Sequence, residues 1–318
     1  MLYIIITEKM TVRVLYQTRA TLKRVGWLFA GFLLLTGCGR KPEADTFSVM
    51  TYNLNQYALR DRDDDGKIDD PKPQEESDAV IQLIASCLPD ILAVQEMGDD
   101  IVFSHFQKAL QRAGAVYPYV HLLRSGRKFE ANLAVLSRFP LIAVRERTNE
   151  WYSIGPVQLP VTRGFLDIDI QVNSSYRFRL INAHLKSKVY NPLGQTEMRR
   201  NEARLLSKVV RSILDETPDT NLLVLGDMND DYASAPLHEV KGRRGVELSD
   251  LRPVDEVGDA WTYFQSSTDS CRRFDYLFVN DGMKPEVVRE QARVVRDPLT
   301  WIASDHRPLL GVFWADER

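Results

Sequence analysis

The stretch 221–231, which reads N-L-L-V-L-G-D-M-N-D-D, constrains this chain more than any other. A short continuous apolar run suits a strand buried on both faces, and this one ends abruptly in a glycine and a cluster of carboxylates. Gly226 permits a close or strained backbone, so Asp227 and Asn229 can project from the strand end. Two readings stay open at this point: a rigid bracket for polar chemistry, or a buried strand that leaves through a solvated acidic turn.

The same grammar recurs along the chain. An alternating run, 47–55, ends in asparagines, with Asn53 among them. Ala79, Val80, Leu83, Ile84 and Cys87 fall at helical spacing and predict a helix over 74–87, which Pro89 stops. The segment 90–96 reads as a buried strand with Glu96 at its end. A helix over 101–113 follows, then strands over 119–123, 132–137, 141–147, 165–172 and 176–183, the last delivering His184. A longer helix, 194–214, leads into the central run, and strands over 273–279 and 308–314 complete the core. No Pro/Ser-rich linker divides this alternation. With 318 residues, 44% of them hydrophobic, the expectation is one large α/β domain of two packed sheets with helices outside.

Near the N-terminus, Lys23 and Arg24 precede an apolar run, 25–35, that is too short for a comfortable transmembrane helix. It predicts an export signal, and a start at Met10 would give it a more usual length. The ending Leu35-Thr36-Gly37-Cys38 resembles a bacterial lipoprotein signal, in which the cysteine is lipidated and becomes the new N-terminus. The organisation this implies is a signal over 1–37, a tether over 38–45 and a domain over 46–318, exported and held to a membrane through Cys38. Gly39 after the cysteine favours the outer membrane, or a periplasm-facing location, in a host with two membranes. An ordinary signal peptide or an uncleaved anchor is the competing reading.

Residues 1–37 hold five basic side chains and one acidic, so without them the 41 Lys and Arg become 36, the 44 Asp and Glu become 43, and the charge moves from −3 to −7. That balance excludes a generalised basic surface for duplex nucleic acid. Arg124, Arg127, Lys128, Lys186, Lys188, Arg199 and Arg200 remain candidates for a local basic groove. Beyond Cys38 only Cys87 and Cys271 remain, and two separate buried thiols are expected.

The polar residues fall at telling places. Asn53, Glu96, His184, Asp227, Asn229 and the pair Asp305-His306 each stand at or just past the end of a predicted buried strand, where a sheet scaffold presents a site on rigid elements. Oxygen ligands without a cysteine or histidine cage suit a hard divalent ion, Mg²⁺ or Mn²⁺, which keeps several waters and is completed by substrate phosphate. Phosphoryl transfer to water is the chemistry that such a set favours. Separately, Asp61, Asp63, Asp65, Gly66 and Asp69 match the opening of a calcium loop, but Lys72 stands where a bidentate Glu would close it, so Ca²⁺ in loop 61–72 competes with a solvated acidic loop.

With these residues in view, the chain resembles the endonuclease/exonuclease/phosphatase superfamily. The marks are Thr51-Tyr52-Asn53-Leu54-Asn55, Gln95-Glu96, Leu136-Ser137-Arg138-Phe139-Pro140, Ala183-His184-Leu185, Gly226-Asp227-Met228-Asn229, Phe274-Asp275-Tyr276 and Ser304-Asp305-His306-Arg307-Pro308, in the family's order. The resemblance implies a four-layered α/β sandwich with the site at one edge of the packed sheets. It implies that Glu96 binds the metal with Asn53 and Asp305 nearby, and that Asp227 and Asn229 hold the attacking water and the phosphate. His306 would pair with Asp275, and His184 would contact phosphate. Arg163 is a further phosphate candidate through its fork of donors. The implied activity is metal-dependent phosphoester hydrolysis, with nucleic acid as the expected substrate. A phosphatase or phospholipase C-like enzyme acting on inositol phosphates or sphingomyelin is the alternative, and a surface lipoprotein that only binds is the non-enzymatic one.

Overall fold

The structure is a computed structural model that describes residues 45–126, 131–242 and 247–318, which belong to one compact unit. The expected export signal, Cys38 and the tether up to residue 44 lie outside the described residues, as do Arg127 and Lys128. Among the described residues no helix is long and apolar enough to cross a membrane.

In chain order the elements are β1 (Thr46–Tyr57), α1 (Gln74–Cys87), β2 (Ile91–Met97), α2 (Asp100–Arg112), β3 (Tyr119–Leu123), β4 (Asn132–Ser137) and β5 (Leu141–Arg147). There follow β6 (Trp151–Ile154), β7 (Val157–Pro160), β8 (Phe165–Gln171), β9 (Arg177–His184), α3 (Gln195–Glu216), β10 (Leu222–Asp227), α4 (Ala235–Lys241) and β11 (Ser249–Asp250). The last are β12 (Tyr263–Gln265), β13 (Ser270–Arg272), β14 (Asp275–Val279), β15 (Arg293–Val294), α5 (Thr300–Ala303) and β16 (Leu309–Trp314). One six-stranded sheet runs β15-β16-β1-β2-β4-β3 and the other β11-β14-β10-β9-β8-β5, while β6-β7 and β12-β13 are separate hairpins.

Strand alternation explains the layering, because successive side chains point to opposite faces. In β1, Phe47 and Val49 enter the core between the sheets, whereas Met50, Tyr52 and Leu54 pack under α1 and α2. In β10, Leu223 and Leu225 face the other sheet, and Leu222 and Val224 face α3 and α4. Both sheets are thus covered on both faces, which is why their strands read as continuous apolar runs. The result is the expected four-layered sandwich of two packed sheets flanked by helices.

Helix α1 has the predicted bounds, and α2 starts one residue early because the Asp99 side chain caps it, accepting from the Ile101 and Val102 amides at 3.0 and 2.9 Å. The two hairpins and the short helices α4 and α5 carry no strong periodicity and were not expected from the sequence. Cys87 and Cys271 are separate free thiols, but neither is buried: Cys87 is half-buried and Cys271 exposed at the open β12-β13 hairpin.

Gly226 meets its expectation in detail. Its φ is +125°, and a Cβ placed there would sit 2.0 Å from the Ala183 carbonyl oxygen on the parallel strand β9. Gly226→Ala is expected to cost about 2–4 kcal/mol through this backbone clash, read as a lower thermal midpoint. Gly155→Ala, at φ +55° with nothing within 4 Å of the new methyl, is the control and should cost only about 1 kcal/mol.

Candidate active site

The inner faces of the strands change character at one end of the sandwich. In β1 the inward series is Phe47, Val49, Thr51, Asn53; in β9 it ends Leu180, Asn182, His184; in β10 it ends Leu223, Leu225, Asp227; in β14 it starts with Asp275 and continues to Leu277. Register brings them side by side, since Asp227 lies opposite His184 on β9 and opposite Asp275 on β14. Just beneath, the two sheets are joined by polar contacts: the Gln95 amide donates to Thr51 Oγ1 at 3.0 Å and to Asn182 Oδ1 at 2.8 Å.

Asp227 is buried, and a buried carboxylate needs donors. Its Oδ1 accepts from the Asn229 backbone amide at 2.8 Å, and its Oδ2 accepts from Asn53 Nδ2 at 2.9 Å and Asn229 Nδ2 at 3.2 Å. His184 Nε2 lies 3.3 Å and His306 Nε2 3.8 Å from the same Oδ2. Burial opposes its charge, but His184, His306 and the Asn229 amide outweigh it and hold Asp227 well below the usual carboxylate range. Asn229 adopts φ +53°, which lets its backbone and side chain both turn back onto Asp227.

His306 follows α5 on a turn fastened by Ser304, whose hydroxyl donates to the Asn53 carbonyl at 2.8 Å and accepts from the His306 amide at 3.1 Å. Its Nδ1 lies 2.7 Å from Asp275 Oδ2. Burial alone would lower its pKa, yet the carboxylates of Asp275, Asp227 and Asp305 push it up to about 10, so the imidazole is charged at neutral pH. Asp275 is in turn set by Thr262, whose Oγ1 accepts from the amides of Phe274 and Asp275, each at 3.0 Å. His184 moves the opposite way, since burial and the Arg163 charge lower it despite Asp227.

Glu96 breaks the alternation. By strand parity it would face the helices with Leu92 and Val94, but its φ of +62° and a register break after Val94 swing it into the site, and Met97 then joins the helix side. Its Oε2 accepts from the Gln56 amide at 2.8 Å, and its Oε1 lies 3.5 Å from Asn53 Nδ2 and 3.9 Å from His184 Nε2. All eight residues expected at the site, Asn53, Glu96, His184, Asp227, Asn229, Asp275, Asp305 and His306, are therefore linked by direct contacts or by Coulombic coupling.

A model of the Endonuclease/Exonuclease/phosphatase family matches residues 50–306. This chain belongs to that family. No curated protein sequence matches it. Among solved structures, the human Nocturnin catalytic domain with a bound sulfate anion shares the fold at a TM-score of 0.62 and 18% identity, covering 85% of this chain and 94% of that one. Truncated TDP2 from Caenorhabditis elegans gives 0.58 and 17%, covering 85% and 98%. Sphingomyelinase C from Streptomyces griseocarneus gives 0.58 and 15%, covering 85% and 100%.

The family's phosphoester hydrolases are typically divalent-metal dependent, and the donor set here fits such an ion. Glu96 is ionised, with His184, Arg163, His306 and the Gln56 amide overcoming its burial, and like Asp305 it is only half-buried. Asp305 is raised by burial and by the nearby charges of Glu96 and Asp227, the repulsion that a cation would relieve. Asp227, Asp275 and His306 bring metal-capable atoms within 4.8 Å of one another, but there the charged imidazole already takes the cation's place. One expectation shifts in detail: Asn53 Oδ1 accepts from the Asn55 amide at 3.0 Å, so its amide nitrogen, not its oxygen, faces the carboxylates.

Four of the seven candidates for a basic groove have carboxylate partners. Arg199 is buried and forked onto Asp230 at 2.8 Å, Arg200 pairs with Glu239 at 3.1 Å, Arg124 with Asp100 at 2.9 Å, and Lys188 with Asp230 at 3.1 Å. Arg163 stands closer to the chemistry, donating to the Leu185 carbonyl at 2.9 Å and acting electrostatically on Glu96 and His184. In loop 61–72, Asp61, Asp63 and Asp70 approach within 4.8 Å, but Asp65 pairs with Lys67 at 2.6 Å and Lys72 turns inward to the Asn55 carbonyl and Glu76, so the twelfth position faces away from the loop.

Residues that sequence reasoning did not single out are Thr262, Asn182 and Tyr263, while Ser304 entered only as part of the motif around His306. Only Asn182 had a visible signal, since it sits two before His184 on the same face of β9.

Because the folded pKa of His306 is raised, its own contribution to stability is present below the ordinary histidine value of about 6.5 and is lost as pH rises through about 10. Burial raises its partner Asp275 to about 6, so the pair is fully charged only between about 6 and about 10. Asp275→Asn should bring the His306 imidazole titration down from about 10 towards its ordinary value, followed by NMR in the presence of a chelator. An unmoved titration would remove Asp275 as the partner that charges His306.

Proposed function

We propose that this chain is an exported, Mg²⁺- or Mn²⁺-dependent phosphodiesterase that hydrolyses nucleic acid. The observation that carries the reading is the opposition of an ionised, half-buried Glu96 to a buried Asp227 that borders a charged His306 at 3.8 Å. A divalent ion held by Glu96 and Asp305 would neutralise charge on the phosphoryl oxygens and bring a water to phosphorus. Asp227, held far below its ordinary range, orients that water and fixes the imidazoles; it is a weak proton acceptor. Asn229 positions Asp227 from the turn after β10 and lies beside the Leu185 carbonyl, at the phosphate-facing edge. His306, kept protonated by Asp275, stabilises the negative charge that builds at phosphorus and on the leaving oxygen. His184, 3.3 Å from Asp227, and Arg163, which acts electrostatically on Glu96, add further donors.

A second reading is a phosphatase or phospholipase C-like enzyme acting on a small phosphate ester or a lipid head group. The pairing of Arg199, Arg200 and Arg124 with carboxylates favours it, because these three side chains are already neutralised and offer less to a long polyanion. The export signal and the Cys38 anchor rest on the sequence, and they would put the enzyme beside extracellular nucleic acid or on the periplasmic side of an outer membrane.

Three measurements test this function. Glu96→Gln should fold normally and lose hydrolysis of bis(p-nitrophenyl) phosphate; unchanged activity at saturating Mg²⁺ would remove Glu96 as the ligand. His306→Ala and Asp227→Asn should each cost on the order of 10² or more in turnover, and losses of only a few-fold would put the chemistry elsewhere. Fatty-acid labelling in the native host should mark the wild type and not Cys38→Ser, with equal labelling counting against the anchor.

A further inference from the structure

The candidate site opens on one side into a recess of about 430 Å³. Asp305 and His306 form one wall of it, and Trp261, Tyr263, Phe264 and Trp301 form others. These rings brace one another. Trp301 lies 5.4 Å from Trp261, tilted by 41°, and 5.3 Å from Phe264, nearly edge-on. Behind them the Arg307 guanidinium sits 4.3 Å over the Trp261 ring while it donates to buried Asp255 at 2.7 Å. Tyr263 stacks on Phe274 at 4.8 Å and lies 4.8 Å from the His306 ring. Although fixed by these neighbours, Trp301 remains 61% exposed. An indole held rigid with much of its surface open to water is a platform that lacks its other half.

We infer that this recess is a nucleobase subsite, in which the base carried by the scissile phosphate stacks on Trp301. The inference rests on the phosphodiesterase reading and names the part of the substrate that this chain recognises. Three features select a base. The recess shares Asp305 and His306 with the reacting centre, so a group esterified to the phosphate has a place to lodge directly beside it. Its rings offer flat faces, which every base can use regardless of sequence. Gln265, Ser266 and Ser267 also line it, offering an amide and hydroxyls to the polar edge of a base, and an acyl chain would strip these groups of water for no return. Stacking also supplies affinity that the carboxylate-paired arginines do not.

The test compares a thymidine dinucleotide with its counterpart in which both nucleosides are abasic tetrahydrofuran residues. Trp301→Ala should lower kcat/KM for the thymidine dinucleotide roughly 10-fold, mainly through KM, and leave the abasic substrate within about twofold, the scale of losing one base–ring stack. Trp301→Phe, which keeps a ring, should recover most of the loss. Equal losses on both substrates, or none on the dinucleotide, would overturn the subsite. Should the wild type cleave no phosphodiester at all, the phosphodiesterase reading fails by itself, and binding judges the recess separately. In the Asp227→Asn variant, saturable quenching of tryptophan fluorescence by AMP but not by ribose 5-phosphate, abolished by Trp301→Ala, would support it. Quenching by neither ligand, or a Trp301-dependent blue shift with sphingomyelin vesicles in place of AMP quenching, would overturn it.

Discussion

The burial of the Asp227 carboxylate sets the terms for everything around it. An ion at the end of a strand between two packed sheets is stable only if donors surround it, and the donors come from both sheets. Asn53 reaches it from β1, Asn229 from the turn that follows β10, His184 from β9 and His306 from the segment after α5. Satisfying one charge thus pins together segments that are remote in the chain; Asn53 and Asp227 are 174 residues apart. The same contacts that stabilise the fold at this end preorganise the site, which is the arrangement that electrostatic catalysis requires.

Beneath that ion lies a gradient. The inter-sheet core is apolar along most of its length, passes through the Thr51, Gln95 and Asn182 hydrogen bonds, and only then becomes charged. The intermediate polar layer matters because a direct step from leucine side chains to carboxylates would leave the ions against hydrocarbon. Asn182 also donates to the Val94 and Ala134 carbonyls at 3.0 and 3.2 Å, so it is fully used in locking the sheets at the depth where the chemistry begins.

How much of this could be read from the sequence follows from the range of the physics. Alternation and helical spacing are local, so the strands carrying Asn53, His184 and Asp227 and the helices α1 and α3 were legible to within a few residues. The need for glycine at 226 was legible because an apolar run stopping at Gly-Asp has few other uses. Glu96 was found as a strand-end carboxylate, but the left-handed turn that aims it inward has no sequence signature. The His306–Asp275 pair came from family resemblance, since nothing across 31 residues announces a hydrogen bond. The neutralisation of Arg199 and Arg200 was hidden for the opposite reason: both look free in the sequence, while their counterions, Asp230 and Glu239, arrive only through the packing of the turn after β10 and of α4 against α3.

That neutralisation changes how a phosphodiester chain could be held. If each exposed cation were bare, affinity would come from phosphates and would fall steeply with salt. Here Lys188 and Arg199 already have carboxylate partners, and a ring-lined surface lies against His306. A substrate that meets one reacting phosphate and one ring platform needs no long run of phosphates to stay bound. It would be gripped at the scissile bond and at its neighbouring base, a geometry suited to single strands and frayed ends, because a base within a duplex has both faces already stacked. An acidic body with a formal charge of −7 beyond residue 37 is then compatible with a nucleic-acid substrate, since little of the binding would depend on long-range attraction.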